Sequence, residues 1–152
     1  FAEEVNYAYF YILLTDMADM MWRRYGNDTP SHNQDMRRAD SIIKDFVTLL
    51  QENIETRTDV GFYAEKLCIS KQYLSLIVKE KTRVTVGTVI ASMRAESASR
   101  LLRNPDLTIQ QIAEELSFAD QSSFGKFFKK HSGMSPLKYR QNLRKTLLTL
   151  RP

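Results

Sequence analysis

Apolar positions along this chain recur at spacings of three and four residues, and no segment shows the strict alternation of a half-buried strand. The first stripe is Phe10, Leu13, Leu14, Met17 and Met21, with Tyr7 and Trp22 beside it, which predicts a helix over residues 3–24. The pattern then lapses, with Gly26 and Pro30 as breakers, so residues 26–39 read as a linker. A second stripe, Ile42, Ile43, Phe46, Val47, Leu50 and Ile54, predicts a helix from about Asp40. Short helices follow, with Asp59 as N-cap before one running through Leu67 and Ser70 capping the next, over Lys71–Glu80. Val89, Ile90, Met93, Ala98, Leu101 and Leu102 mark a longer helix over about Val86–Arg103, stopped at Pro105. Thr108 caps a helix over Ile109–Leu116, another runs from about Asp120 to His131, and Pro136 opens a last one at a position where proline is tolerated. The predicted class is all-α.

The same pattern is written twice. Ala64 falls on Ala113, Leu67 on Leu116 and Ile69 on Phe118. After one extra residue in the second copy, Leu74 falls on Phe124, Ile77 on Phe127, Val78 on Phe128, Lys79 on Lys129 and Arg94 on Arg144. Each copy reads as a short helix, a tight turn and a second helix, over about 59–80 and 108–131. Self-similarity of this kind signals a repeated supersecondary unit, here two helix-turn-helix subdomains joined by the long helix. The connecting helix of about 18 residues would be roughly 27 Å long, and one turn of DNA advances about 34 Å, so two second helices could serve one face of a duplex.

Charge sharpens this picture. Residues 1–40 hold four Arg against seven acids, a balance of −3, whereas residues 41–152 hold 18 basic residues against 11 acids, a balance of +7. No acid follows Asp120, while eight Lys or Arg do. Such a surface attracts a phosphate backbone and releases its counterions. A solvated charged face is the plainer explanation of any one charge run, but here the run lies on the repeated helix-turn-helix.

Subtracting the small cores expected of each unit (Leu67, Ile69, Leu74, Ile77 and Val78; Leu116, Phe118, Phe124, Phe127 and Phe128) leaves an outward face on each second helix. In the first unit it is Lys71, Gln72, Ser75, Leu76 and Lys79; in the second it is Gln121, Ser122, Gly125, Lys126 and Lys129. Gln can read an adenine edge with two hydrogen bonds, Ser can bond either kind of pair, and Leu can meet a thymine methyl. Gly125 offers no side chain and would let backbones approach. Leu76 has a second reading, an inward-facing core residue in a shifted helix register.

The residues from Phe118 to Arg140 carry an aromatic, a small polar turn, Ser-x-Phe, Phe-Lys-Lys and then Gly-x-Ser-Pro-x-x-Tyr-Arg. This run, with the Leu-Thr-Ile-Gln-Gln-Ile-Ala-Glu-Glu-Leu stretch before it, resembles the signature of AraC/XylS-type bacterial transcription regulators, over about residues 40–145. The resemblance implies a DNA-binding domain over 40–149 that inserts two recognition helices into successive major grooves. It places base reading on Gln72, Ser75, Leu76, Gln121, Ser122, Gly125 and Lys126; the basic side chains Lys71, Lys79, Lys129, Lys130, Lys138 and Arg140 are expected on DNA phosphates. Where Leu76 stands the family often has Arg, which implies weaker or shape-based reading by the first unit. Arg83 and Val86 of the first copy stand where the second has Gly133 and Pro136. The resemblance further implies a bacterial, cytoplasmic, nucleoid-associated regulator, an activator more than a repressor, with RNA polymerase as a further partner. Residues 1–25 would be the terminal helix of a truncated sensor or dimerisation domain, and a homodimer would form through that helix or the missing sensor.

The chain opens on Phe rather than Met, in keeping with a piece of a longer protein. Its single cysteine, Cys68, gives no disulfide framework and is expected as a small buried hydrophobe. His32 and His131 lie too far apart, and too far from Cys68, to set zinc-ligand spacing. No nucleophile motif or phosphate-binding glycine loop is present, so neither an enzyme nor a cofactor is expected. The apolar stretch Val5–Leu14 is too short to span a bilayer, and Glu3 and Glu4 precede it, which does not suit a signal peptide. The rival to a double-stranded DNA-binding regulator is a helical protein-interaction module in which the repeats serve as scaffold.

Overall fold

The computed structural model describes residues 30–149, with side chains described for 37–145. The helix expected over residues 3–24, and any dimer contact through it, lie outside the described residues. Seven helices follow in order among the described residues, with no strand: α1 (Pro30–Asn53), α2 (Val60–Lys66), α3 (Lys71–Thr82), α4 (Val86–Leu102), α5 (Ile109–Glu115), α6 (Gln121–Ser132) and α7 (Pro136–Thr149). One correction concerns α1, which starts at Pro30 rather than near Asp40 and so runs through part of the expected linker. Residues 31–39 carry few apolar positions, so periodicity is silent there. Proline suits a first helical position, and Gln34, Met36, Arg37 and Arg38 are good helix formers.

The chain divides into two compact units. The first takes in the described residues up to Glu52 together with Asp59–Val89, and the second takes in Asn53–Thr58 together with the described residues from Ile90 on. In the first unit, Ile42, Phe46 and Leu50 form one buried stripe of α1, against a core of Tyr63, Ala64, Leu74, Ile77, Val78, Val86 and Val89. Phe46 meets Tyr63 edge to face at 5.6 Å between ring centres, a favoured aromatic geometry. In the second, Ala98, Leu102, Ile112, Ala113, Leu116, Phe124, Phe128 and Tyr139 form the buried cluster, with Phe118, Met134 and Leu143 packed on it. Leu67, Ile69, Phe118 and Phe127, expected in the cores, are half-buried at their margins.

Both units turn in the same way. In the first, Leu67 N–H donates to Tyr63 O at 3.0 Å, Cys68 N–H to Glu65 O at 3.0 Å and Ile69 N–H to Ala64 O at 3.0 Å. In the second, Leu116 N–H donates to Ile112 O at 3.0 Å, Ser117 N–H to Glu114 O at 2.9 Å and Phe118 N–H to Ala113 O at 2.8 Å. The middle residue of each turn is left-handed, Cys68 at φ 54° and Ser117 at φ 56°. This corrects the expectation for Cys68. A residue at that point of the turn directs its side chain outward, and Cys68 is exposed.

Helix starts are satisfied by side chains. Phe62 N–H donates to the Asp59 carboxylate at 3.0 Å, Tyr73 N–H to Ser70 Oγ at 3.1 Å and Ser123 N–H to the Asp120 carboxylate at 2.6 Å. Thr108 and Gln111 form a reciprocal capping box: Gln111 N–H donates to Thr108 Oγ1 at 3.1 Å and Thr108 N–H to Gln111 Oε1 at 2.8 Å. The second helices end alike too. Arg83 at φ 63° and Gly133 at φ 76° are left-handed caps whose N–H groups donate to Lys79 O and Lys129 O, each at 2.9 Å. Thr82 Oγ1 and Ser132 Oγ donate back to Val78 O and Phe128 O, each at 2.8 Å.

The paired caps generate a prediction. The left-handed conformation costs an L residue with a Cβ about 1–2 kcal/mol, a cost glycine avoids at some loss of unfolded-state entropy. Arg83→Gly is therefore expected to stabilise the chain by up to about 1 kcal/mol, and Gly133→Ala to destabilise it by about 1 kcal/mol or more. Denaturant unfolding of the two variants checks this, and equal shifts of the same sign would contradict it.

Candidate nucleic-acid interface

Burying Leu74, Ile77 and Val78 fixes which way α3 faces. Lys71, Gln72, Ser75, Leu76 and Lys79 are all exposed, and Leu76 is 61% exposed, so the inward-facing reading of Leu76 is excluded. Positions 72, 75, 76 and 79 share one helical face, with Gln and Ser in the first turns and Lys79 in the last. Lys71 is less simply placed. A Cβ built on Gly61 would lie 2.5 Å from the Asp59 carboxylate and 2.6 Å from Lys71 Nζ, so this lysine folds back beside the cap of α2.

In the second unit, Phe124 and Phe128 turn α6 inward and leave Gln121, Ser122, Lys126, Lys129 and Lys130 exposed. Gly125 is half-buried, and a Cβ placed there would meet nothing within 4 Å, so the helix surface is open at that point. The last turn of α6 carries Lys129, Lys130 and His131, where positive charge suits the carbonyl end of the helix. Lys138 is exposed on α7.

The structure separates Arg140 from the other residues expected on phosphates. Its side chain is half-buried, and Nε donates to Leu102 O at 3.2 Å, satisfying a carbonyl at the end of α4. Burial, and then the like charge of Arg144, push its guanidinium below the ordinary arginine value. Arg140 thus caps a helix inside the second unit. Lys81, at the end of α3, is engaged as well, in an ion pair with Asp40 of α1 at 2.5 Å.

Asp120 is the last acid of the chain and caps α6. Hydrogen bonds from Ser123 hold its carboxyl below the ordinary aspartate value. His131 stacks 4.6 Å from the Phe127 ring, and burial, followed by Lys130, pushes its pKa down from 6.5. Sequence reasoning missed Arg94. This residue of α4 donates to Leu116 O and lies 3.8 Å over the Phe118 ring. Its pairing with Arg144 in the repeat gave no sign of that role, because Arg144 is exposed.

Two units of one backbone design, each leaving the polar face of its second helix in solvent, define a double helix-turn-helix domain. A family described as a helix-turn-helix domain matches residues 63–142. The Msm operon regulatory protein of Streptococcus mutans is 30% identical over 112 residues, covering 71% of this chain and 40% of that protein. The chain thus spans well under half of that relative's length. Among solved structures, a transcriptional regulator of Chromobacterium violaceum described by its AraC-type DNA-binding domain superposes with a TM-score of 0.62 at 20% identity, covering 69% of this chain and 94% of that one. The DNA-binding domain of AdpA, solved in complex with a target DNA, superposes with a TM-score of 0.61 at 21% identity, covering 68% and 93%. The chain belongs to the AraC/XylS family of helix-turn-helix proteins.

Two of the perturbed groups, His131 and Asp120, predict a pH profile. A histidine whose pKa is lower folded than unfolded contributes stability in full above its unfolded value, and loses it as pH falls through the folded value. Melting temperature is therefore expected to fall as pH drops below 6.5, and to fall again in the acid range below 3.8 as Asp120 protonates. Thermal melts of the wild type and His131→Gln check the first step; an unchanged profile in the variant would remove His131 as its source.

Proposed function

We propose that this chain is the DNA-binding part of a transcription regulator, reading a specific double-stranded site with α3 and α6 in successive major grooves. One observation carries the reading: each second helix exposes Gln and Ser near its start and Lys one to two turns later, while its apolar face is buried. Gln and Ser supply base-edge hydrogen bonds, and the lysines supply phosphate contacts. In this reading Gln72, Ser75 and Leu76 serve one half-site and Gln121, Ser122 and Lys126 the other, with backbone approach at Gly125. Lys79, Lys129, Lys130 and Lys138 hold phosphates, and Lys71 joins them by swinging away from Asp59. Leu76, apolar and exposed, fits a thymine methyl.

Activation fits the reading better than repression, since another relative is the F1 operon positive regulatory protein of Yersinia pestis. RNA polymerase is then a further partner, and the site of action is the bacterial cytoplasm. Among the described residues, no helix is long and apolar enough to cross a membrane. The stripe from Phe10 to Met21 supports pairing of two copies, because an apolar face of that size commonly marks an interface. Sedimentation with and without residues 1–25 tests this; a monomer in both forms at about 100 μM would rule out stable pairing there.

Selection from random duplexes is expected to yield a preferred site whose affinity falls steeply with salt. With about six phosphates contacted, log K against log salt should slope near −5. Gln121→Ala is expected to cost roughly 1–3 kcal/mol on the preferred site and relax one position, whereas Lys129→Ala should weaken all duplexes alike and flatten the slope by about one. Arg140→Met should lower stability and leave the slope unchanged. Salt-independent affinity, or no bound duplex, would defeat the proposed function.

A further inference from the structure

We infer that Arg94 is a positioning residue for the second reading helix: its guanidinium staples the turn between α5 and α6, and so sets the pose in which Gln121, Ser122 and Lys126 meet a base pair. The inference rests on DNA reading by α6. Three contacts made by one planar group carry it. A terminal nitrogen donates to the carbonyl of Leu116, which closes α5. The guanidinium carbon lies 3.8 Å from the ring centre of Phe118, just past the left-handed Ser117. The same carbon lies 5.6 Å from the ring centre of Phe127, on α6. One side chain therefore touches the residue before the turn, the residue after it and the reading helix.

The chemistry is specific to arginine. A carbonyl at a helix end lacks an intrahelical donor and sits at the negative end of the helix dipole, so a cation that donates to it is doubly favoured. The flat guanidinium stacks on an aromatic face while its edge still donates, which a lysine ammonium cannot do in the same way. Phe118 further packs on Phe124 and Phe127, at 5.4 and 5.1 Å between ring centres, so the staple acts on a connected aromatic layer under α6.

At the matching positions, all of them among the described residues, the first unit has no counterpart. The offset that brings Ala64 onto Ala113 brings Asp45 onto Arg94, and Asp45 is exposed. Ile69 and Ile77 stand where Phe118 and Phe127 are, so neither the cation nor its rings are present. Loss of the staple should therefore be felt on one half of the site alone, which a general loss of stability would not produce.

The test uses the full chain, its selected duplex and two degraded duplexes, one randomised in each half-site. Arg94→Lys keeps the charge and removes the stacked fork. Discrimination at the half-site read by α6 should fall by about tenfold, and that at the half-site read by α3 should stay within about twofold, at a temperature where circular dichroism reports a folded protein. Phe118→Leu should reproduce the one-sided loss, and Phe118→Tyr, which keeps the ring, should restore discrimination. If Arg94→Lys is not folded at the assay temperature, the Phe118 pair decides. Discrimination unchanged at both half-sites, or lost equally at both, would overturn the staple. A wild-type chain that binds no duplex would instead overturn the DNA-reading function on which it rests.

Discussion

Both units depend on one backbone hydrogen bond each, from Ile69 N–H to Ala64 O and from Phe118 N–H to Ala113 O. Each bond brings the chain back across the end of a short helix so that the next can leave at a set angle. It requires a small residue at the point of closest approach, and Ala64 and Ala113 are both buried there. It also requires a left-handed residue between the helices, supplied by Cys68 and Ser117. A larger side chain in place of either alanine would push the second helix off the first, and overpacking of a tight core typically costs about 1–3 kcal/mol. The angle of α3 to α2, and of α6 to α5, is thus a property of the turn before it is a property of the cores.

The cores differ more than the turns. At matching positions of the turn and second helix the first unit has Ile69, Leu74, Ile77 and Val78 where the second has Phe118, Phe124, Phe127 and Phe128, and the buried rings of the first unit, Phe46 and Tyr63, lie on α1 and α2 instead. Aromatic rings have preferred mutual geometries and polarised faces, so they hold a neighbour in fewer arrangements than branched aliphatics do. The same backbone can therefore carry a more tightly specified second helix in one unit than in the other.

Most of the fold was legible because the signals were local. Ser70, Asp59 and Thr108 are capping residues placed just ahead of apolar stripes, and all three accept the backbone hydrogen bonds expected of them. The outward faces of α3 and α6, down to Leu76, followed from subtracting the buried positions. What failed was non-local or compositional. The start of α1 carries no apolar stripe to announce it. Cys68 was judged by residue type, whereas its exposure follows from its place in the turn. Tyr63 was not picked out as core, although it is fully buried, because a phenol on a short helix gives no periodic signal. Arg140 was expected on a phosphate because it lies in a basic tract, and Arg94 was noted only as the repeat partner of Arg144. Their carbonyl partners, Leu102 and Leu116, lie 38 and 22 residues away, and no spacing rule links such pairs.

The outward turn of Cys68 makes the chain chemically addressable at one point. It is the single cysteine of the sequence, exposed and held by the backbone bonds of the turn directly ahead of α3. A maleimide dye or nitroxide attached there needs no other cysteine removed, and its stem begins at the residue that sets the helix angle. Such a label would report the surroundings of α3 without altering its exposed Gln72, Ser75 or Leu76, and so could follow that unit separately from the second.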